Sequence, residues 1–316
     1  MTAGLVLGVD IGGTALRAAL VRADGSSPFP LVDVPRGPDL RGQLAETADG
    51  LIGPAIAAGM PVTGAGIAVP GHLDPLTGLV SSAPGAEDLI GLDPRDIDLG
   101  PVHVTHVVND ANAALIGEWL HGAARGAHSA LGVFVGTGVG GGLVAGGALF
   151  AGSSGTAGEV GHMPILPDGP RCPCGGRGCL QQLASGTAVA RWYGERTGQP
   201  VAGAAAVAAA ARAGDPLARE AFVRAGEWLG VGIATAVNLL NTEIVVVGGG
   251  MAAAWDLFGP RLTRTANRLT MPATAAACRI VPTALGRRAG VVGAALAPGP
   301  MPGALMKHGT GDEDDR

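Results

Sequence analysis

One pattern occurs twice. "LGVDIGGT" (7–14) and "LGVFVGTG" (131–138) are both short apolar, β-branched runs that break on glycines. Each is followed by a second apolar run that returns, "LRAALV" (16–21) in one case and "GLVAGG" (142–147) in the other. Runs of this length bounded by glycine read as strands, so each copy is a strand, a glycine turn and a strand. A chain carrying this plan twice is expected to fold as two related halves.

The rest of the chain alternates strands with helices, which makes the fold class α/β. Helical periodicity covers 40–58, "ANAALIGEWLHGAA" (111–124) and stretches near 184–194, 201–213 and 216–240. Strands are expected at "GAGIAVPG" (64–71), "VHVTHVVND" (102–110), "EIVVVGGG" (243–250) and near 278–283, with a helix at 288–297. Cys278 falls in the last strand and is expected to be buried there. From Pro298 the chain is rich in proline, glycine and acid, so a disordered tail is expected over 299–316.

Composition excludes several functions. A net charge of −5 over 316 residues gives no electrostatic reason to bind nucleic acid or an anionic membrane. No leader-like N-terminus or membrane-length apolar run is visible, so a soluble cytoplasmic protein with reduced thiols is expected. Lys307 is the only lysine, and it lies in the tail. P-loop NTPases, protein kinases and Schiff-base enzymes each need a lysine at the reacting group, so all three are poor readings.

Glycine makes up 55 residues, and three glycine turns sit at strand ends: "DIGGT" (10–14), "GTGVGGG" (136–142) and "GGG" (248–250). Backbone without Cβ approaches a phosphate closely and aims N–H groups at it. The candidates are Gly12 and Gly13 with Asp10 and Thr14, Gly136 and Gly138 with Thr137, and Gly248, Gly249 and Gly250. Gly136, Gly138 and Gly141 also spell G-x-G-x-x-G, but a dinucleotide site needs a helix next, and "GLVAGGALF" does not read as one. Asp10 is suited to hold Mg²⁺ through water, and Thr14 and Thr137 to donate to phosphate oxygens.

Cys172, Cys174 and Cys179 form C-x-C-x₄-C, one ligand short of a tetrahedral zinc site, and His162 lies ten residues upstream. The set reads as Cys₃His, with a reduced thiol cluster that merely packs as the alternative. In "VVND", Asp110 ends a strand and opens a helix, beside Asn109. Such a carboxylate is placed to accept a proton, or both residues are only a helix cap.

"GVDIGGTALR", "VVNDANAA", "GTGVGGG", "GTAGEVGHM", "CPCGGRGCL" and "VVVGGG" stand here in the order of the ROK family of bacterial sugar kinases. The chain resembles that family over about residues 5–297. The family includes glucokinases, other hexose and aminosugar kinases, and sugar-responsive repressors. The resemblance implies the two-domain actin-like ATPase (ribonuclease H-like) fold with the active site in the inter-domain cleft. It implies a small domain of 1–118 plus 287–298 and a large domain of 119–286 that carries the zinc loop. It implies ATP with Mg²⁺ at the glycine turns, Asp110 as general base, and a sugar or polyol read by Gly71, Asn109, Asp110, Glu159, His162 and Gln181. His162, Cys172, Cys174 and Cys179 match the family's structural zinc motif, and a homodimer or homotetramer is implied.

Two positions and one segment depart from the family pattern, the segment being "SAPGAEDLIG" (82–91), which lacks the Asn and Trp that often follow the proline in family glucokinases. Gln181 stands where family glucokinases usually place a sugar-contacting glutamate, and "PGHLD" has His72 in place of a second proline. These changes keep open a kinase for an aminosugar or cyclitol. A non-catalytic sugar sensor is disfavoured by the presence of both Asp10 and Asp110. A DNA-binding repressor is disfavoured because the first strand begins at residue 5, leaving no room for a helix-turn-helix, and no basic recognition helix is visible.

Overall fold

The structure is a computed structural model that describes residues 4–74, 77–83 and 85–298. The tail expected to be disordered over 299–316 lies outside the described residues.

The first sheet is built from β1 (Leu5–Ile11), β2 (Ala15–Val21), β3 (Val32–Pro35), β4 (Val62–Val69) and, after a small hairpin of β5 (His72–Leu73) and β6 (Val80–Ser82), β7 (Val104–Asn109). Helix α1 (Leu40–Ala57) lies between β3 and β4, and α2 (Asp110–His121) follows β7. The second sheet uses β8 (Ala130–Val135), β9 (Val139–Ala145), β10 (Ala148–Leu149), β11 (Ile244–Gly248) and β12 (Arg279–Pro282). Between β10 and β11 come α3 (Leu180–Ala184), α4 (Gly186–Thr197), α5 (Ala204–Arg212) and α6 (Pro216–Leu240). Between β11 and β12 come α7 (Trp255–Leu269) and α8 (Pro272–Ala277), and α9 (Ala289–Leu296) follows β12.

The repeat seen in the sequence is a repeat of topology. The sheets run β3-β2-β1-β4-β7 and β10-β9-β8-β11-β12. In each, the glycine-turn hairpin is antiparallel and the next two strands are parallel to the first. The β8 turn is followed by the strand β9, so the G-x-G-x-x-G of 136–141 lacks the helix that a dinucleotide site needs.

Local chemistry sets the helix ends. Asp215 caps α6 by accepting from Leu217 N and Ala218 N, and Pro216 occupies the first turn, where its missing N–H costs nothing. Asn241, with φ 51°, closes the same helix in the left-handed conformation that asparagine tolerates.

The first sheet and α1 share one core, including Leu7, Ile11, Leu44, Ile52 and Ile67. The second sheet buries one face against α4 to α7 around Phe222, Leu229 and Phe258. The helices that follow the two sheets then exchange partners. Leu115 and the half-buried Trp119 of α2 pack on Ala130, Val144 and Ile244 of the second sheet. Val291 and Ala295 of α9 pack on Ala19 and Val21 of the first. The two helices meet at glycines: a Cβ on Gly293 would lie 1.7 Å from the Ala113 carbonyl oxygen, and one on Gly117 would lie 2.2 Å from that of Ala289. Only glycine permits this approach.

Glu118, fully buried on α2, fixes the nearby crossings of the chain. Its carboxylate accepts from Ala123 N at 2.7 Å, Ala284 N at 3.1 Å and Leu285 N at 2.8 Å, and from the Thr283 hydroxyl. Cys278 differs from expectation: it is half-buried and sits between α8 and β12, because the helix ahead of it extends to Ala277. Among the described residues, no helix is long and apolar enough to cross a membrane.

Candidate active site and metal centre

Parallel register brings the first group of candidates to one edge of the first sheet. Asp10 pairs with Ala68, and Val69 pairs with Asn109, so β1, β4 and β7 all end there. Ligands of open α/β sheets bind at this carboxyl edge. Asp10 is nearly enclosed, and Arg17, its cross-strand partner, reaches it from Nη1 to Oδ2 at 3.2 Å. Arg17 Nε also lies 3.3 Å from Asp33 Oδ2. Burial raises the Asp10 carboxyl above its ordinary value, and the Arg17 guanidinium opposes that rise. Gly12, Gly13 and Thr14 form the turn beyond Asp10, closed by Gly12 N donating to Ala15 O at 2.8 Å.

Asn109 and Asp110 divide two tasks. Asn109 caps α2, its Oδ1 accepting from Asn112 N at 3.0 Å. Its Nδ2 donates to Gly71 O at 2.8 Å and to Asp110 Oδ1 at 3.1 Å. Ala111 N also donates to Asp110 Oδ1, at 2.8 Å. Gly71 has φ +81°, and a Cβ there would strike Ser82 O at 1.9 Å, so this anchor must be glycine. Asp110 keeps some surface but is deeply surrounded by protein. Burial, then the charge of Asp10, pushes its carboxyl up to about 7. A carboxylate with this proton affinity both takes up and releases a proton near neutral pH.

The second sheet presents the other two glycine turns. Gly136 N donates to Gly138 O at 2.9 Å, Gly186 N donates to Gly136 O at 2.7 Å, and the Thr187 hydroxyl donates to Thr137 O at 2.8 Å. Gly248 pairs with Phe134, and a Cβ on Gly249 would lie 2.5 Å from Val135 O, so the 248–250 turn adjoins the end of β8. Gly250 opens the short helical turn that leads to α7.

Arg17, Gly186 and Thr187 join the site without being among the residues singled out from the sequence. Arg17 was discoverable, since residues 10 and 17 are equally far from the centre of the hairpin turn. Gly186 and Thr187 meet the 136–138 turn only through tertiary packing.

His162, Cys172, Cys174 and Cys179 come together, with all four candidate ligand atoms within 4.8 Å of one another. Cys174 Sγ lies 3.7 Å from Cys179 Sγ, and Cys172 Sγ lies 3.7 Å from His162 Nδ1. A tetrahedron with metal–sulfur bonds of about 2.3 Å has edges of about 3.8 Å, so both separations fit. The thiols are free rather than disulfide-bonded. Burial opposes charge at Cys172, but hydrogen bonds from Cys174 N and the Gln181 amide bring it down to about 6. Burial and neighbouring thiols push Cys179 up to about 12. Gln181 therefore turns its nitrogen to the cluster, donating from Nε2 to Cys172 Sγ at 3.2 Å, with its Oε1 close to Gly138.

Glu159 lies between the Cys₃His cluster and the β5–β6 hairpin. Its Oε2 is 4.0 Å from His162 Nε2, and its Oε1 is 3.9 Å from His72 Nδ1. His162 thus directs one ring nitrogen to the cysteines and the other to Glu159.

The ROK family model matches residues 6–298. The chain is 33% identical over 314 residues to a glucokinase of Thermotoga maritima, covering 92% of this chain and 96% of that protein. A ROK family glucokinase from Streptomyces griseus, solved in complex with glucose and AMPPNP, superposes with a TM-score of 0.78 at 31% identity, covering 92% of this chain and 98% of that one. A ROK hexokinase from Thermus thermophilus gives a TM-score of 0.74 at 33% identity, covering 92% and 97%. The duplicated sheets are those of the actin-like ATPase fold that these kinases share, and the chain belongs to the ROK family.

Proposed function

We propose that the chain is an ATP-dependent sugar kinase acting on glucose or a close relative. The observation that carries this reading is that Asp10 and Asp110 lie at one sheet edge, where burial and the charge of Asp10 push the second carboxyl up to about 7. Asp110 takes the proton of the sugar hydroxyl as that oxygen bonds to the γ-phosphorus. The bond from that phosphorus to the bridging oxygen breaks, and ADP leaves with the electron pair. Such a transition state is loose, so holding the hydroxyl in line matters more than a strong base. Asn109 contributes by fixing Asp110 and the Gly71 carbonyl together.

The phosphates of ATP fit the turns of Gly12, Gly13 and Thr14 and of Gly136, Thr137 and Gly138, with Gly248, Gly249 and Gly250 on the nucleotide side. Asp10 would hold, through water, the Mg²⁺ that accompanies ATP, and the ion would neutralise phosphate charge there. Glu159 and His162 would face the sugar, with Gln181 beside them and its Oε1 toward the Gly138 turn. The proposed division is 1–118 with 287–298 and 119–286, with the site between them and one sheet in each part; its boundary at 118 falls within α2, which packs on the second sheet, and the proposed location is the cytoplasm. Packing of α9 on the first sheet supports placing 287–298 with it.

The Cys₃His set fits zinc in donor chemistry and spacing. His162, Cys172, Cys174 and Cys179 would hold it as a closed structural site, where it supplies folding energy to a loop with little core of its own. Ligation through Nδ1 fixes the tautomer of His162 and leaves Nε2 for the sugar side.

The test is ADP release with Mg-ATP across hexoses, N-acetylhexosamines and cyclitols. Turnover with glucose is the expected result. Turnover confined to an N-acetylhexosamine or cyclitol would reassign the substrate, and no turnover with any of them would refute the kinase reading.

A further inference from the structure

His72 is a side chain near the site that the reaction does not use. It stands on β5, directly after Gly71, whose carbonyl accepts from Asn109. Its own carbonyl accepts from the Ser81 hydroxyl at 3.1 Å, which holds the short hairpin in place. The imidazole faces Glu159, whose two oxygens are thereby divided between two histidines. Oε1 faces His72 Nδ1 at 3.9 Å, and Oε2 faces His162 Nε2 at 4.0 Å. Both gaps are too long for a direct hydrogen bond. A hydroxyl oxygen about 2.8 Å from each atom of either pair spans the gap. The side chains of His72 and Glu159 are 33% and 30% exposed, so a ligand can reach both.

Resting on the kinase reading above, we propose that His72 is a specificity-determining residue. Its Nδ1 and Glu159 Oε1 would form a two-point cradle for one hydroxyl of the sugar, beside the His162–Glu159 pair that takes a neighbouring hydroxyl. The ligand class is a polyol with adjacent ring hydroxyls. A hydroxyl donates one hydrogen bond and accepts another, so its O–H donates to the carboxylate and its oxygen accepts from the imidazole N–H. A proline at this position, as the family pattern has, offers no side-chain donor or acceptor, so the contact is a property of this chain.

The test is calorimetric binding of glucose, and of the analogues lacking one ring hydroxyl each, to wild type, His72→Leu and His72→Asn. AMPPNP binding checks the fold of each protein. Leucine is expected to weaken glucose by about tenfold, near 1.4 kcal/mol. That loss should vanish for one analogue only, the one lacking the cradled hydroxyl. Asparagine places an amide nitrogen near the position of Nδ1 and should keep glucose within about threefold of wild type, equivalent to less than 1 kcal/mol. Unchanged glucose binding by His72→Leu overturns the inference, and so does an equal loss for every analogue. If the leucine variant fails to bind AMPPNP, the asparagine variant decides: the wild-type pattern across the analogues supports the cradle, and a uniform loss rejects it. Wild-type binding of glucose without phosphorylation of any sugar would refute the kinase reading instead. Phosphorylation without single-hydroxyl coupling would refute only the role of His72.

Discussion

Gln181 donates from Nε2 to Cys172 Sγ at 3.2 Å, which joins a position that departs from the family pattern to the Cys₃His cluster. A glutamate would remove the donor and set a carboxylate against a thiolate. Gln181→Glu is therefore expected to lose zinc to a chelator about tenfold more readily, the usual lower cost of altering a residue that supports a metal ligand. Competition with a chromogenic chelator measures this directly. Equal retention by the two proteins would show that the amide does not support the cluster.

One zinc per chain is expected by elemental analysis of protein purified without added metal. Cys174→Ser should lower both metal content and melting temperature, because metal binding and loop folding are a single free energy. A metal-free preparation that is fully folded and active would defeat the zinc assignment.

Asp110 ties activity and stability to pH in opposite directions. The base acts when deprotonated, so kcat/KM should fall as pH drops through about 7. Its folded carboxyl is raised above the ordinary 3.8. The stability it contributes is thus present below that value and lost as pH rises through about 7. Asp110→Asn should then be more stable than wild type at high pH, by about 2–4 kcal/mol. The advantage should close toward pH 4, within the window set by the ordinary and raised values. Thermal melts across that range check it, and a pH-independent difference would contradict the assigned burial.

Much of this architecture is legible in the sequence because its signals are local. The glycine-turn hairpins announce themselves by apolar runs that stop on glycine, and α6 is bounded by Asp215-Pro216 and Asn241. The strand β3 and the helix α3 escape such reading. The first has four residues at a sheet edge, and the second has five whose neighbours are fixed by the cysteine loop. The candidate metal ligands are legible from spacing because three cysteines stand within eight residues, with His162 ten residues upstream of the first. Glu159 and His72 come from different halves, and nothing in either segment predicts their approach. Gln181 likewise reads as a sugar contact by position, whereas its amide nitrogen in the fold serves the sulfur.

The central claim is that Asp110 is the base of a sugar kinase. Its most direct test is the kcat of Asp110→Asn with Mg-ATP and glucose, measured beside the Kd for glucose. The substitution preserves size and removes the proton acceptor. The account predicts a kcat loss of about a hundredfold or more with glucose binding within about threefold of wild type. A variant that keeps more than about a tenth of wild-type kcat would contradict it.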